Sequence, residues 1–166
     1  FKGTMSAVTV SEVITRAAYQ VFKDCEIIQI PFSDGGDGSL ECFQLAIGGE
    51  IISTQVKDPY FNNIDAEYLI KDNLAIIESA KACGISLLNK DMLNPLLTTT
   101  YGVGQLILDA LAKGVKQIIL TLGGSSTNDG GTGMLCALGA VFYDDSHNAF
   151  VPTGGTLKNI DSIDLS

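Results

Sequence analysis

Two glycine-rich stretches hold the residues best suited to chemistry. The first, "FSDGGDGS" from Phe32, carries Asp34 and Asp37 on a tight turn. The second, "LGGSSTNDGGTG" from Leu122, sets Ser125, Thr127, Asn128 and Asp129 between Gly123, Gly124, Gly130 and Gly131. Glycines let main-chain amides crowd together and approach a ligand closely, and the positive end of a helix favours negative charge. Such loops suit an anion. Asp34 and Asp37 are hard oxygen donors that could hold a divalent cation, and Asp34 could take the proton of an attacking alcohol. A competing reading makes them Asx turns or caps, with Asp37 well placed to cap the helix that follows. Asp129 is a third carboxylate in a similar setting, and two acidic loops facing one cleft would suit phosphoryl transfer.

Other candidates are weaker. Thr98, Thr99 and Thr100 lead into a helical pattern, which needs one of them as a cap and leaves the others to bind a carboxylate or phosphate at the helix start. Lys2, taken by itself, reads as a surface lysine. His147 lies in a polar turn without partner histidines or a serine nucleophile motif, which sets aside a Ser-His-Asp hydrolase. Known phosphate fingerprints fail: no Lys precedes the Ser or Thr of a P-loop, and "GTGMLC" and "GVGQLI" lack the third glycine of the dinucleotide pattern.

The elements that must position these residues follow from periodicity. "TVSE" at Thr9 to Glu12 fits a capping box, and apolar residues at helical spacing predict a helix over 10–22. A branched run predicts a strand over 26–30, ended by Pro31, and a helix over 40–47 follows the acidic loop. Strands over 50–56, 66–70 and 74–78 form a meander. A helix over 77–83, a helix over 103–113 stopped by Gly114, and a strand over 117–122 come next. The second glycine loop then opens a helix near Gly130 with its body over 134–138, followed by a strand over 140–143 and a long turn, "DDSHNAFVPTGG". Alternating strands and helices predict an α/β fold, with the meander marking a domain boundary or insertion.

The totals narrow the function. A chain of 166 residues that is 46% apolar can bury one good core, or parts of two smaller ones. Nineteen acidic residues against ten basic ones, a net charge of -9, argue against a nucleic-acid partner, because phosphate backbones need clustered Lys and Arg. Cys25, Cys42, Cys83 and Cys136 form no C-x-x-C pair and have no companion histidines, so reduced thiols in a cytoplasmic protein are expected. No apolar run reaches the ~18 to 20 residues of a membrane span.

Taken together, "FKGTMSA", "PFSDGGDGS", "AIIESAKACGISLL", "NPLLTTTYGVGQLILDAL", "LTLGGSSTNDGGTGMLCALGAVF" and "GGTLKNID" resemble the type I glycerate kinases, in the family's order over nearly the whole chain. The resemblance implies ATP-dependent, Mg2+-requiring transfer of a phosphoryl group to D-glycerate, giving 2-phosphoglycerate. It implies two α/β domains, one Rossmann-like and one inserted, with the site between them. On this chain residues 1–57 would begin the Rossmann-like domain and residues 58–166 the inserted one. The family continues for about as many residues again, so the chain is expected to be its N-terminal portion and the fold incomplete. The implied roles are Lys2 for charge on the carboxylate or moving phosphoryl group, Asp34 as base or metal-linked carboxylate, and Asp129 beside them. Asp37, Thr99, Thr100 and the 123–131 loop, through Gly123, Gly124, Ser125, Thr127, Asn128, Gly130 and Gly131, would bind substrate or phosphate. Which loop takes ATP stays open. The rivals are a non-catalytic anion or sugar-acid binding domain and a kinase for a related hydroxy acid.

Overall fold

The computed structural model describes residues 4–166, a mixed α/β arrangement. Lys2 lies outside the described residues. Helix α1 spans Ala7–Val21 and starts a turn before the expected capping box, because Ser6 is extended and its Oγ accepts from the Thr9 amide at 3.1 Å. Thr9 is therefore inside the helix. Only Thr15 of α1 is buried, and Ile14, Val21 and Phe22 stay exposed. The expected strand over 26–30 is not formed. Branched residues favour a strand only where a neighbour completes the ladder; among the described residues none pairs with this run, and Ile28 and Ile30 stand exposed.

Helix α2 is Ser39–Ile47, and the meander follows as β1 (Glu50–Lys57), β2 (Asn63–Lys71) and β3 (Leu74–Glu78). Strand β4, Gln117–Thr121, lies parallel to β3 and completes a four-stranded sheet in the order β1-β2-β3-β4. The crossover between them carries α3 (Ala80–Cys83), shorter than the helix expected over 77–83 because β3 runs on to Glu78, and α4 (Tyr101–Ala112). The meander is thus three strands of a sheet that the glycine-loop strand finishes. The boundary expected between 57 and 58 falls between β1 and β2, which pair from Glu50↔Ile70 to Lys57↔Asn63.

Strand β3 is buried on both faces, which is why its sequence is apolar without alternation. On one face Val56, Ala66, Tyr68, Ala75 and Ile77 pack against Val103, Leu106 and Ala110 of α4; on the other, Leu69 and Ile76 meet Leu40 of α2. After the second glycine loop come α5 (Thr132–Ala137) and a small sheet of β5 (Val141–Tyr143), β6 (Ala149–Phe150) and β7 (Ser162–Asp164), with β5 in the middle. Strand β5 lies where a strand is expected over 140–143, whereas β6 falls inside the stretch expected as a long turn and β7 has a single apolar residue, Ile163. His147 is exposed at the β5–β6 turn, stacked on Tyr143. Among the described residues no helix is long and apolar enough to cross a membrane.

Tyr68 is fully buried and donates from its hydroxyl to Asp109 Oδ2 at 2.6 Å. Burial first, then the bond to Asp109, pushes its pKa above the ordinary value of 10.0. The folded protein therefore keeps the phenol proton at a pH where the unfolded chain releases it, and stability contributed here is lost as pH rises past about 10. Tyr68→Phe is expected to cost about 1 kcal/mol at neutral pH and to flatten the alkaline loss. Urea denaturation of both proteins at neutral and alkaline pH would check this; parallel losses in the two would reject it.

Candidate active site

The acidic loop is built from two local turns. Ser33 Oγ accepts from the Gly35 amide at 3.1 Å, and Asp34 Oδ1 accepts from the Gly36 amide at 3.0 Å. The Asx turn expected in this loop thus belongs to Asp34. Asp37 does not cap α2, contrary to the sequence reading. The cap position is Gly38, in the left-handed region at φ 89°, and the helix's first amides are taken from far away. Glu78, 1% exposed at the tip of β3, accepts from the Gly38 amide at 3.3 Å and from the Leu40 amide at 2.9 Å. Relieved of capping, Asp37 is exposed and faces the second loop, its Oδ1 3.5 Å from where a Cβ on Gly124 would sit.

The two loops touch backbone to backbone. A Cβ on Gly123 would lie 2.6 Å from Gly36 Cα and 2.7 Å from its nitrogen, so no side chain fits between them. The second loop is also stitched to the α3 turn. The Ile85 amide donates to Gly124 O at 2.7 Å, and the Ser126 amide and hydroxyl both donate to Cys83 O. Thr98, fully buried, donates to Ser126 O at 2.8 Å.

Asp129 corrects the reading of the helix start. It is 1% exposed, and its Oδ2 accepts from the Thr100 amide and hydroxyl, both at 2.8 Å, and from the Gly133 amide, while Oδ1 accepts from the Gly131 amide. The anion at the positive end of α5 is the protein's own carboxylate. Four internal donors thus hold this carboxylate in place, while Asp129 also lines the smaller of the two cavities beside the loop. Thr99 and Thr100 change likewise. Thr99 is fully buried with its Oγ1 accepting from the Tyr101 amide, and Thr100 Oγ1 also accepts from the Met134 amide at 2.9 Å. The Thr100 hydroxyl ties the start of α4 to α5, and Thr99, fully buried, has no face for phosphate.

What remains open to a ligand is the middle of the loop. Gly124, Ser125, Asn128 and Gly130 are exposed and Thr127 is half-buried. Among the described residues, the hydrogen bonds of the protein use none of the amides of Gly123, Gly124, Ser125, Thr127 and Asn128. Two cavities border the loops. One of about 880 Å³ is lined by Asp34, Asp37, Gly38, Ser6 and Phe32, and one of about 340 Å³ by Ser125, Thr127, Asn128, Asp129, Gly130 and Thr100, among others. Burial pushes the Cys83 thiol up, against hydrogen bonds with Ser125 and Thr127 that pull it down. All four cysteines are free.

The model of the glycerate kinase family matches residues 1–166. The chain belongs to the glycerate kinase family. A glycerate kinase of Bacillus cereus is 44% identical over 168 residues, and a glycerate 2-kinase of Escherichia coli 37% identical. Each match covers 100% of this chain and 44% of the relative. The chain thus spans under half the length of the curated relatives it matches. The crystal structure of a candidate glycerate kinase 2 from Salmonella typhimurium LT2 superposes with a TM-score of 0.84 at 36% identity, over 100% of this chain and 46% of the other.

Within this family setting, the residue that sequence reasoning missed is Glu78, while Ser126 belongs to the small polar run of the second loop without being singled out there. Glu78 left one signal: a carboxylate closing the apolar run "LAIIE", where a buried strand has no use for charge unless something pairs with it. Ser126 left none that separates it from Ser125 beside it.

Proposed function

We propose that this chain forms one wall of a kinase site that moves the γ-phosphoryl group of ATP to a hydroxyl of D-glycerate, giving 2-phosphoglycerate. The observation that carries the reading is the contact of the two glycine loops, which sets an exposed carboxylate pair beside a row of unengaged amides. Phosphoryl transfer asks little covalent chemistry of a protein, so positioning and charge compensation must do most of it. Amides of the 123–131 loop would cradle phosphate oxygens. Asp34 would accept the proton of the attacked hydroxyl, and Asp37 would sit on the phosphate side, toward Gly124. Lys2, from the family resemblance, would offset charge on the carboxylate or the moving group. Asp129, Thr99 and Thr100 act in this scheme as the frame that holds α4, α5 and the loop together.

Among the described residues no three potential metal-ligating side chains cluster. Mg2+ in kinases takes one or two carboxylates and completes its shell with phosphate oxygens and water, so Asp34 and Asp37 fit it as donors. When bound, it would neutralise charge developing on the transferred group.

The two-domain organisation is part of the same proposal. Since β1 to β4 form one sheet, we place the junction at Gly48 and Gly49, ahead of β1, with the 4–47 segment belonging to the Rossmann-like unit. The exposed apolar face of α1 and of Ile28 and Ile30 supports that reading. The unpaired thiols go with a reducing, cytoplasmic setting, where ATP is at hand.

Full-length protein supplied with ATP, Mg2+ and D-glycerate should release ADP and form 2-phosphoglycerate. A binding domain would take up glycerate without releasing ADP, and faster turnover of hydroxypyruvate or tartronate-type acids would point to a related substrate. Gly123→Ala tests the loop contact. The added methyl must push the acidic loop away, and turnover is expected to fall by ~10-fold, since misplacement of about 1 Å has effects of this order or larger. Turnover within twofold of wild type would break the link between that contact and catalysis.

A further inference from the structure

Glu78 is a buried carboxylate that the scheme above does not use, and its surroundings are unusual for a charge. Among the described residues it has no ion-pair partner. Its two oxygens face the Gly38 and Leu40 amides, at the positive end of α2. A helix is ordinarily capped by a residue next to it in sequence; here the cap position is a glycine, and the carboxylate comes from a strand 38 to 40 residues later. Removing a carboxylate from water is costly, so its retention at this point calls for a reason beyond closing a helix.

The strand register supplies that reason. Glu78 pairs with Thr121 across the parallel β3–β4 ladder, and the Ser79 amide donates to Thr121 O at 3.1 Å. Thr121 leads directly into Leu122, Gly123 and Gly124, the residues against which Gly35 and Gly36 rest. One strand tip therefore holds both loops: the glycine loop through the β4 ladder, the acidic loop through the Glu78 carboxylate. We infer that Glu78 is the positioning residue that fixes the Asp34–Asp37 loop against the 123–124 loop for phosphoryl transfer. This inference rests on the kinase reading. Glu78 touches no substrate, and its effect passes through the amides of Gly38 and Leu40.

The test uses full-length protein with Glu78→Gln and Glu78→Asp. Glutamine keeps the size but turns a donor toward one of the two amides; aspartate keeps the charge but falls short by a methylene. Amide exchange across residues 34–40 is expected to accelerate by about tenfold in Glu78→Gln while β1–β4 stay protected, because local opening is what the carboxylate resists. The kcat should fall ~10-fold or more with the KM for ATP changed less than about threefold, the signature of lost alignment. Glu78→Asp should recover part of both effects, and it decides the matter alone if the glutamine protein does not fold. Unchanged exchange at 34–40 would overturn the inference, as would faster exchange with kcat within twofold of wild type. Absence of ADP release in the wild type would instead overturn the kinase reading, and exchange would still decide whether Glu78 anchors the loop.

Discussion

Asp129→Asn is expected to lower the unfolding free energy by about 3 kcal/mol or more, the range found when a buried, multiply bonded carboxylate loses its charge. Four donors converge on this side chain: the Thr100 amide and hydroxyl and the Gly131 and Gly133 amides. An asparagine can accept at one atom only and presents an NH2 group to donors at the other. The space cannot adjust, because a Cβ on Gly133 would overlap Thr99 Oγ1, which shows how closely the loop and helix backbones meet there. The same substitution should therefore loosen the contact of α4 with α5 and the whole 123–131 loop. Urea denaturation measures it directly. Wild-type stability together with lost turnover would return Asp129 to the catalytic role its sequence setting suggests.

Asp34→Asn is expected to do the reverse. An amide oxygen can still accept from the Gly36 amide, so the Asx turn survives. The capacity to take a proton is lost, and turnover in a coupled ADP-release assay should drop by ~10²-fold or more, the usual cost of a missing general base. The pair forms a contrast within one site: one exposed carboxylate whose loss spares stability, one buried carboxylate whose loss spends it. Near-normal turnover in Asp34→Asn would take the base role away from this residue.

Sequence alone was a good guide to elements with long periods or strong turn chemistry. The meander, α2, α4 and β4 stand within a few residues of where apolar spacing puts them, and Gly114 falls just past the end of α4 as its conformational freedom predicts. The strand expected over 26–30 shows the limit of this reasoning, since branching describes a preference and pairing requires a partner. Strands β6 and β7 show another, since one or two apolar residues apiece hold no pattern.

For the site, the chain's sequence determined that two glycine loops with short acids would each lead into a helix, and its motif order determined the family. It did not determine what each carboxylate does. Asp34, Asp37 and Asp129 look alike in one dimension: a short acid beside glycines before a helix. Asp129 turns inward because Thr100, 29 residues away in sequence, brings an amide and a hydroxyl to it, and Asp37 turns outward because Glu78 has already taken the amides it might have capped. Local sequence fixes turn chemistry within a few residues, but the amides that compete for a carboxylate are delivered by strands and helices from elsewhere, and only the folded chain brings them within 3 Å or so of the oxygen they hold.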